Sequence, residues 1–419
     1  MYILFCYKNI DGIIFLRAKE SFLNRSLLLW PMRKTLLPYG MPTVDEDDIN
    51  SVVFVLKTRW LTTGPKVDEF EKKLSLYTGS KYASVVNSGT AALDLAVAAL
   101  DLPKGSEIIT TPLTFVATAN SILYNDCVPI FADIQEDTFN IDPAEVKKKI
   151  TKKTRAILSV DFAGQPCDMA ELRKISDKNN LALISDSAHS IGASYGVSPG
   201  ASIKSRKVGS IADITTFSFH PVKTMTTGEG GAVTTDNETY HRRIRILRNH
   251  GIDKNLAQRE SERTYAYDAK FLGRNYRLTD FQCALGISQL KKLDYFVQRR
   301  NELAKEYNSS LKNVKGIRLP IVRDNVKSAW HLYTILITDA AKYSRDVIFK
   351  KMLDQNIGVN VHYVPVYTHS LYKRLFKIRP SDFPVTDKVS NQILTLPLFP
   401  NMTSDDVRDV VDALKISLK

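Results

Sequence analysis

Lys223 lies in the run Thr216-Phe-Ser-Phe-His-Pro-Val-Lys-Thr-Met-Thr-Thr-Gly-Glu-Gly-Gly231, between an apolar stretch and a glycine-rich turn, where a solvated lysine has little reason to be. An ε-amine shielded from water, or set beside another cation, loses basicity and becomes a nucleophile able to form a Schiff base, with the aldehyde of pyridoxal phosphate for example. That chemistry needs three further parts: a cradle for the phosphate, an acid for the pyridine nitrogen and an aromatic face for the ring.

Candidates for all three are present. Ser88, Gly89 and Thr90 follow the apolar pair Val85-Val86 and precede the alanine-rich run Ala-Ala-Leu-Asp-Leu-Ala, which places them at a helix N-terminus. Free N–H groups and the helix dipole suit a phosphate there, although a plain N-cap gives the same pattern. Asp186 ends the strand-like Leu181-Ala-Leu-Ile-Ser-Asp and can face a pyridinium nitrogen or cap the next helix. His189, three residues on, either reaches the cofactor's phenolic oxygen or packs in its loop. Phe115 leaves the strand-like Glu107-Ile-Ile-Thr through Thr111-Pro-Leu-Thr, at a position from which it can stack on a ring or pack in the core.

The elements that must hold these residues read as α/β. Short apolar strands around Ile108, Val128–Phe131, Ile157–Val160, Leu183 and Ile214–Phe219 alternate with helical patterns, which predicts a mostly parallel sheet covered on both faces. The expected division is an extension at 1–31 outside the fold, a large domain at 32–290 and a linker helix with a small α/β domain at 291–419. The linker helix, rich in Lys, Arg and Glu, is expected from Leu290 to about Leu311, with the substrate between the lobes.

Together these segments resemble the DegT/DnrJ/StrS sugar aminotransferases, fold-type I pyridoxal phosphate enzymes, from about Leu37 to the C-terminus. The motifs are NSGTAALDLA, TTPLTFVATAN, SDSAH, FSFHPVKTMTTGEGGAVTT and the run from Gly273 to Leu290. Trp60–Pro65, Asp161–Cys167, Ser328–Tyr333, Val359–Pro365 and Leu396–Thr403 are similar to the members that aminate C4 of a UDP-linked N-acetyl 4-keto-6-deoxy sugar on the route to pseudaminic acid. The resemblance implies that Lys223 carries pyridoxal 5′-phosphate and shuttles the proton, and that Asp186 pairs with the ring nitrogen. Ser88, Gly89, Thr90 and Ser218 would surround the phosphate, Phe115 would stack on the ring and His189 would sit by its oxygen. Asn275 and Arg277 would reach the phosphate in a neighbouring subunit, making the enzyme a homodimer with shared active sites. His331, His362 and Tyr363 would face the sugar nucleotide, although loop packing accounts for each equally well. L-glutamate would be the amino donor. Some relatives carry histidine at the lysine position and dehydrate the sugar; Lys223 favours amine transfer. A transaminase on a dTDP or GDP keto-sugar, reacting at C3 or C4, is the alternative, and a non-catalytic regulator is a more distant one.

Composition agrees with a globular enzyme: 419 residues, 44% hydrophobic and 25% charged. The net charge of +13 invites polyanions, yet the basic residues are scattered, without an aromatic-interleaved patch, so no nucleic-acid partner is expected. Cys6, Cys127, Cys167 and Cys283 form neither a CxxC pair nor a dense framework, which suggests a reducing cytoplasm and no metal site. Apolar residues near the N-terminus are broken by Lys8, Asp11 and Arg17, short of the roughly 18 needed for a span. No membrane association and no secretory signal are expected, and Met32 is the expected true start of the protein.

Overall fold

The computed structural model describes residues 33–196, 205–254, 259 and 261–419. The expected extension at 1–31 lies outside the described residues. In the N-terminal two thirds the strands are β1 (Tyr82–Val86), β2 (Glu107–Thr110), β3 (Val128–Phe131), β4 (Thr154–Val160), β5 (Ala182–Asp186), the short β6 (Ser194–Tyr195) and β7 (Arg206–Lys207), β8 (Ile214–Ser218) and β9 (Gly231–Thr235). Seven of them form one sheet in the order β1-β9-β8-β5-β4-β2-β3. β8, β5, β4, β2 and β3 pair in parallel, and β9 alone runs against both its neighbours.

Successive side chains of a strand point to opposite faces, and both faces here are apolar. Ile108, Ala156, Leu158, Ile184 and Ile214 pack on the Gly89–Ala99 helix side. Ile109, Ile157 and Leu183 pack on the opposite side with Leu172 and Ile175 of the Met169–Asn179 helix. Val85, Phe217 and Ala232 meet the Pro65–Thr78 helix and the start of a long helix, Asp280–Leu311. The C-terminal ends of β1, β5 and β8 therefore share one edge with the start of β9, where Gly231 stands opposite both Val86 and Ser218.

The helix containing Cys283 and the charged helix expected from Leu290 are one continuous element, begun by reciprocal capping between Thr279 and Gln282. Its first part carries few charges because protein covers it: a Cβ on Gly286 would come within 2.5 Å of the Phe70 ring. Its second part, with Leu303, Tyr307 and Leu311, enters a separate core. That core is built on an antiparallel sheet of β10 (Ile317–Arg318), β12 (Tyr333–Ile337) and β13 (Ile393–Leu396), and Leu37 from the N-terminal side joins it. Between β10 and β12, β11 (Val326–Lys327) pairs with β6 and ties the two lobes together. Cys127, Cys167 and Cys283 are buried and unpaired. Among the described residues no helix is long and apolar enough to cross a membrane.

Candidate active site

Lys223 sits in the loop joining β8 to β9, closed by hydrogen bonds from Phe219 N to Gly230 O (2.9 Å) and Thr227 N to Phe219 O (3.0 Å). The Lys223 N–H donates to His220 O at 2.8 Å, which turns the side chain over the sheet edge. Part of Lys223 remains exposed, but its amine is enclosed enough that loss of hydration brings its pKa down to about 8, against an opposing pull from the charge of Asp186.

Asp186 ends β5 and is buried. The Thr118 hydroxyl donates to one carboxylate oxygen at 2.7 Å and the Ala188 N–H to the other at 3.2 Å. Burial raises its pKa, while those donors and Lys223 act in the other direction. The loop after Asp186 is fixed from beneath by Asp161, a fully buried carboxylate accepting from the Ser187 and Ser190 hydroxyls (2.8 and 2.6 Å) and the Cys167 N–H (3.0 Å).

On the other side of Lys223, Ser88 caps the Gly89–Ala99 helix by accepting from Ala91 N at 3.0 Å. The first-turn N–H groups of Gly89 and Thr90 have no intrahelical acceptor. A Cβ on Gly89 would lie 2.7 Å from the Ser218 Cβ, and one on Gly231 would lie 2.5 Å from Ser88 O. The two glycines thus let the β1, β8 and β9 ends close up beside the free N–H groups of the helix, and that helix N-terminus with Ser88 and Ser218 makes the cradle, the kind of surface that accepts a phosphate.

The third wall comes from histidines and Tyr363. The Tyr363 hydroxyl and His189 Nε2 are 2.8 Å apart, and His189 and His331 lie with ring centroids at 4.5 Å. His362 Nδ1 meets the Thr395 hydroxyl at 2.8 Å. Burial, reinforced by the charge of Lys223, holds all three imidazoles neutral, with His362 brought down to about 3. His189 Nδ1 and His331 Nδ1 are buried without a hydrogen-bond partner among the described residues, which leaves two polar atoms for a ligand to satisfy. Phe115 is the N-cap of the Val116–Tyr124 helix, 57% exposed, with its ring 6.1 Å from Tyr363.

Asn275 is exposed and its carbonyl accepts from the Asn87 side chain at 3.4 Å, beside the cradle of its own chain; Arg277 donates to the Asn249 side chain at 2.7 Å. Sequence reasoning missed Thr118, Asp161 and Tyr39, whose ring lies 5.5 Å from His362. Thr118 falls inside the quoted segment Thr110–Asn120, but nothing local marks it as the partner of Asp186, 68 positions away.

The family model for the DegT/DnrJ/EryC1/StrS aminotransferases matches residues 42–415. The chain belongs to this aminotransferase family. A UDP-4-amino-4,6-dideoxy-N-acetyl-beta-L-altrosamine transaminase of Campylobacter jejuni is 40% identical over 383 residues, covering 90% of this chain and 96% of that one. The solved structure of Helicobacter pylori PseC, an aminotransferase involved in pseudoaminic acid biosynthesis, is 33% identical with a TM-score of 0.83, covering 92% and 99% of the two chains. The sugar aminotransferase Spr1654 of Streptococcus pneumoniae, solved in PMP and PLP forms, is similar at TM-scores of 0.84; its PMP form is 31% identical over 91% of this chain and 98% of that one. The α/β architecture read from the sequence is thus that of the sugar aminotransferases, and this family member is a transaminase.

Proposed function

We propose that this sugar aminotransferase uses pyridoxal 5′-phosphate to move an amino group from L-glutamate to C4 of a UDP-linked N-acetyl 4-keto-6-deoxy sugar, in pseudaminic acid or related surface-glycan synthesis. The observation that carries the reading is the enclosed Lys223 amine, lowered to about 8 beside the buried Asp186 and across from the Gly89–Ser218 cradle. The two unpartnered imidazole nitrogens and the cradle fit the cofactor's polar periphery and phosphate. When bound, that cofactor supplies an aldehyde to take up nitrogen and a ring to take up electrons.

The chain's own groups do the rest. Gly89 and Thr90 N–H groups, with Ser88 and Ser218, bind the phosphate. Asp186, steadied by Thr118, keeps the ring nitrogen protonated. His189, held by Tyr363, would hydrogen-bond the cofactor's phenolic oxygen, and Phe115 would pack against its ring. Lys223 Nζ takes a proton from the donor carbon and returns one to C4 of the sugar, which sets its configuration. His331, His362 and Tyr363 orient the sugar nucleotide. The exposed Asn275, next to the cradle, supports a homodimer in which Asn275 and Arg277 reach the partner's cofactor phosphate. Three buried free thiols support a reducing, cytoplasmic setting.

The test offers the purified enzyme a panel of UDP, dTDP and GDP keto-sugars with nitrogen-labelled L-glutamate. Label in a C4-amino UDP-sugar is expected. Label only in a dTDP or GDP sugar, or at C3, would replace the substrate; no label from glutamate with any sugar would remove the donor.

A further inference from the structure

Arg300 is 1% exposed, in the middle of the Asp280–Leu311 helix. A buried cation ordinarily has a carboxylate beside it. Arg300 instead spends one guanidinium nitrogen on three carbonyls, those of Trp330 (3.2 Å), His331 (3.2 Å) and Leu398 (2.8 Å), and its Nε has no partner among the described residues. It also lines a cavity that reaches Lys223.

The turn it grips is an unusual one. Trp330 adopts a φ of 48°, a left-handed conformation that bulky side chains rarely take. The opposing turn after β4 is also left-handed at Ala163 (φ 57°) and Gly164 (φ 99°). The two are laced by Ala329 N to Gly164 O (2.9 Å) and Leu332 N to Ala163 O (3.3 Å). They meet so closely that a Cβ on Gly164 would lie 2.8 Å from the Trp330 and His331 nitrogens and 3.0 Å from His189 O. This is where the two lobes put His331 against His189. Strain of that kind persists only where the surroundings over-determine it.

We propose that Arg300 is a positioning residue for the amino-transfer site: its carbonyl clamp holds the strained Trp330–His331 turn so that the His331 ring stays packed on His189 beside Lys223. Its role rests on the site reading given above. The Arg300 charge also contributes, after burial and the charge of Lys223, to keeping His331 neutral.

The test has two arms. In the cofactor-free protein with carbon-labelled histidine, the His331 signal is assigned by its loss in His331→Ala. Arg300→Met and Arg300→Lys are expected to move it, with the smaller shift in Arg300→Lys, and to leave in place the signal of His241, which stacks on Tyr82 in β1. In the second arm, pyridoxal phosphate-loaded enzyme is mixed with L-glutamate and single-turnover rates are read by absorbance. Arg300→Met is expected to slow the wild-type rate about tenfold, yet to change the rate of His331→Ala by less than about twofold, since residues acting through one another are not additive. If Arg300→Met does not fold, the same cycle is run with Arg300→Lys. An unmoved His331 signal, equal movement of His241, or additive rate losses would overturn the clamp. A wild-type enzyme inert to glutamate would instead count against the proposed donor, leaving the spectral arm to decide on Arg300.

Discussion

Lys223 should be a nucleophile near neutral pH, and the size of the effect follows from its pKa of about 8 against the 10.5 of a free lysine. At pH 8 an ordinary lysine is about 0.3% neutral and Lys223 about half neutral, a gain of roughly 150-fold in reactive amine. The sign of a second effect is also fixed. Asp186 pulls the Lys223 pKa upward, so Asp186→Asn should move the titration to lower pH. The assay mixes cofactor-free protein with excess pyridoxal phosphate, traps the adduct with borohydride and quantifies the Lys223 peptide against pH. Labelling should fall about fivefold between pH 8 and pH 7 and level off above about pH 9. Lys104, exposed and paired with Asp126 so that its pKa is raised, is the internal control and should label poorly throughout. A Lys223 curve that follows Lys104, or an upward shift in Asp186→Asn, would refute the reasoning.

The buried imidazoles should make the protein acid-labile. His362 has a folded pKa of about 3 against 6.5 when unfolded, so its contribution is complete above pH 6.5 and is lost as the pH falls towards 3. At pH 5 the loss is about 2 kcal/mol, and His362→Gln should remove about that much of the pH 7 to 5 change in urea-unfolding free energy. Thr118→Val strips a donor from Asp186; at about 1.5–3 kcal/mol for a bond to a charged group, cofactor affinity measured by equilibrium dialysis should fall at least tenfold. Glu71→Leu leaves Arg248 buried without its carboxylate beneath β1 and should lower unfolding stability by about 3–5 kcal/mol in a denaturant titration.

Much of this site could be read from the chain because fold-type chemistry at strand ends is written locally. Lys223, Asp186 and Ser88–Thr90 each sit where an apolar strand gives way to a small-residue turn, and the structure brings those three edges together. The five expected parallel strands also fall where their apolar runs lie. What could not be read is what depends on distant segments. Thr118 matters through a contact with Asp186, Asp161 through Ser187 and Ser190, and Arg300 through carbonyls 30 to 98 positions away. That the helix carrying Cys283 runs without a break into the charged helix from Leu290 was hidden for the same reason: Gly286, Ser288 and Gln289 near the join are buried and chosen by their neighbours, so no amphipathic stripe runs through it.

The most direct measurement is the near-ultraviolet and visible spectrum of the protein loaded with pyridoxal phosphate, before and after L-glutamate, with Lys223→Ala beside it. The account predicts a long-wavelength band in the wild type that glutamate abolishes and that Lys223→Ala never forms as a protein adduct. A wild type without the band, a band that glutamate leaves unchanged, or the same adduct band in Lys223→Ala would contradict it.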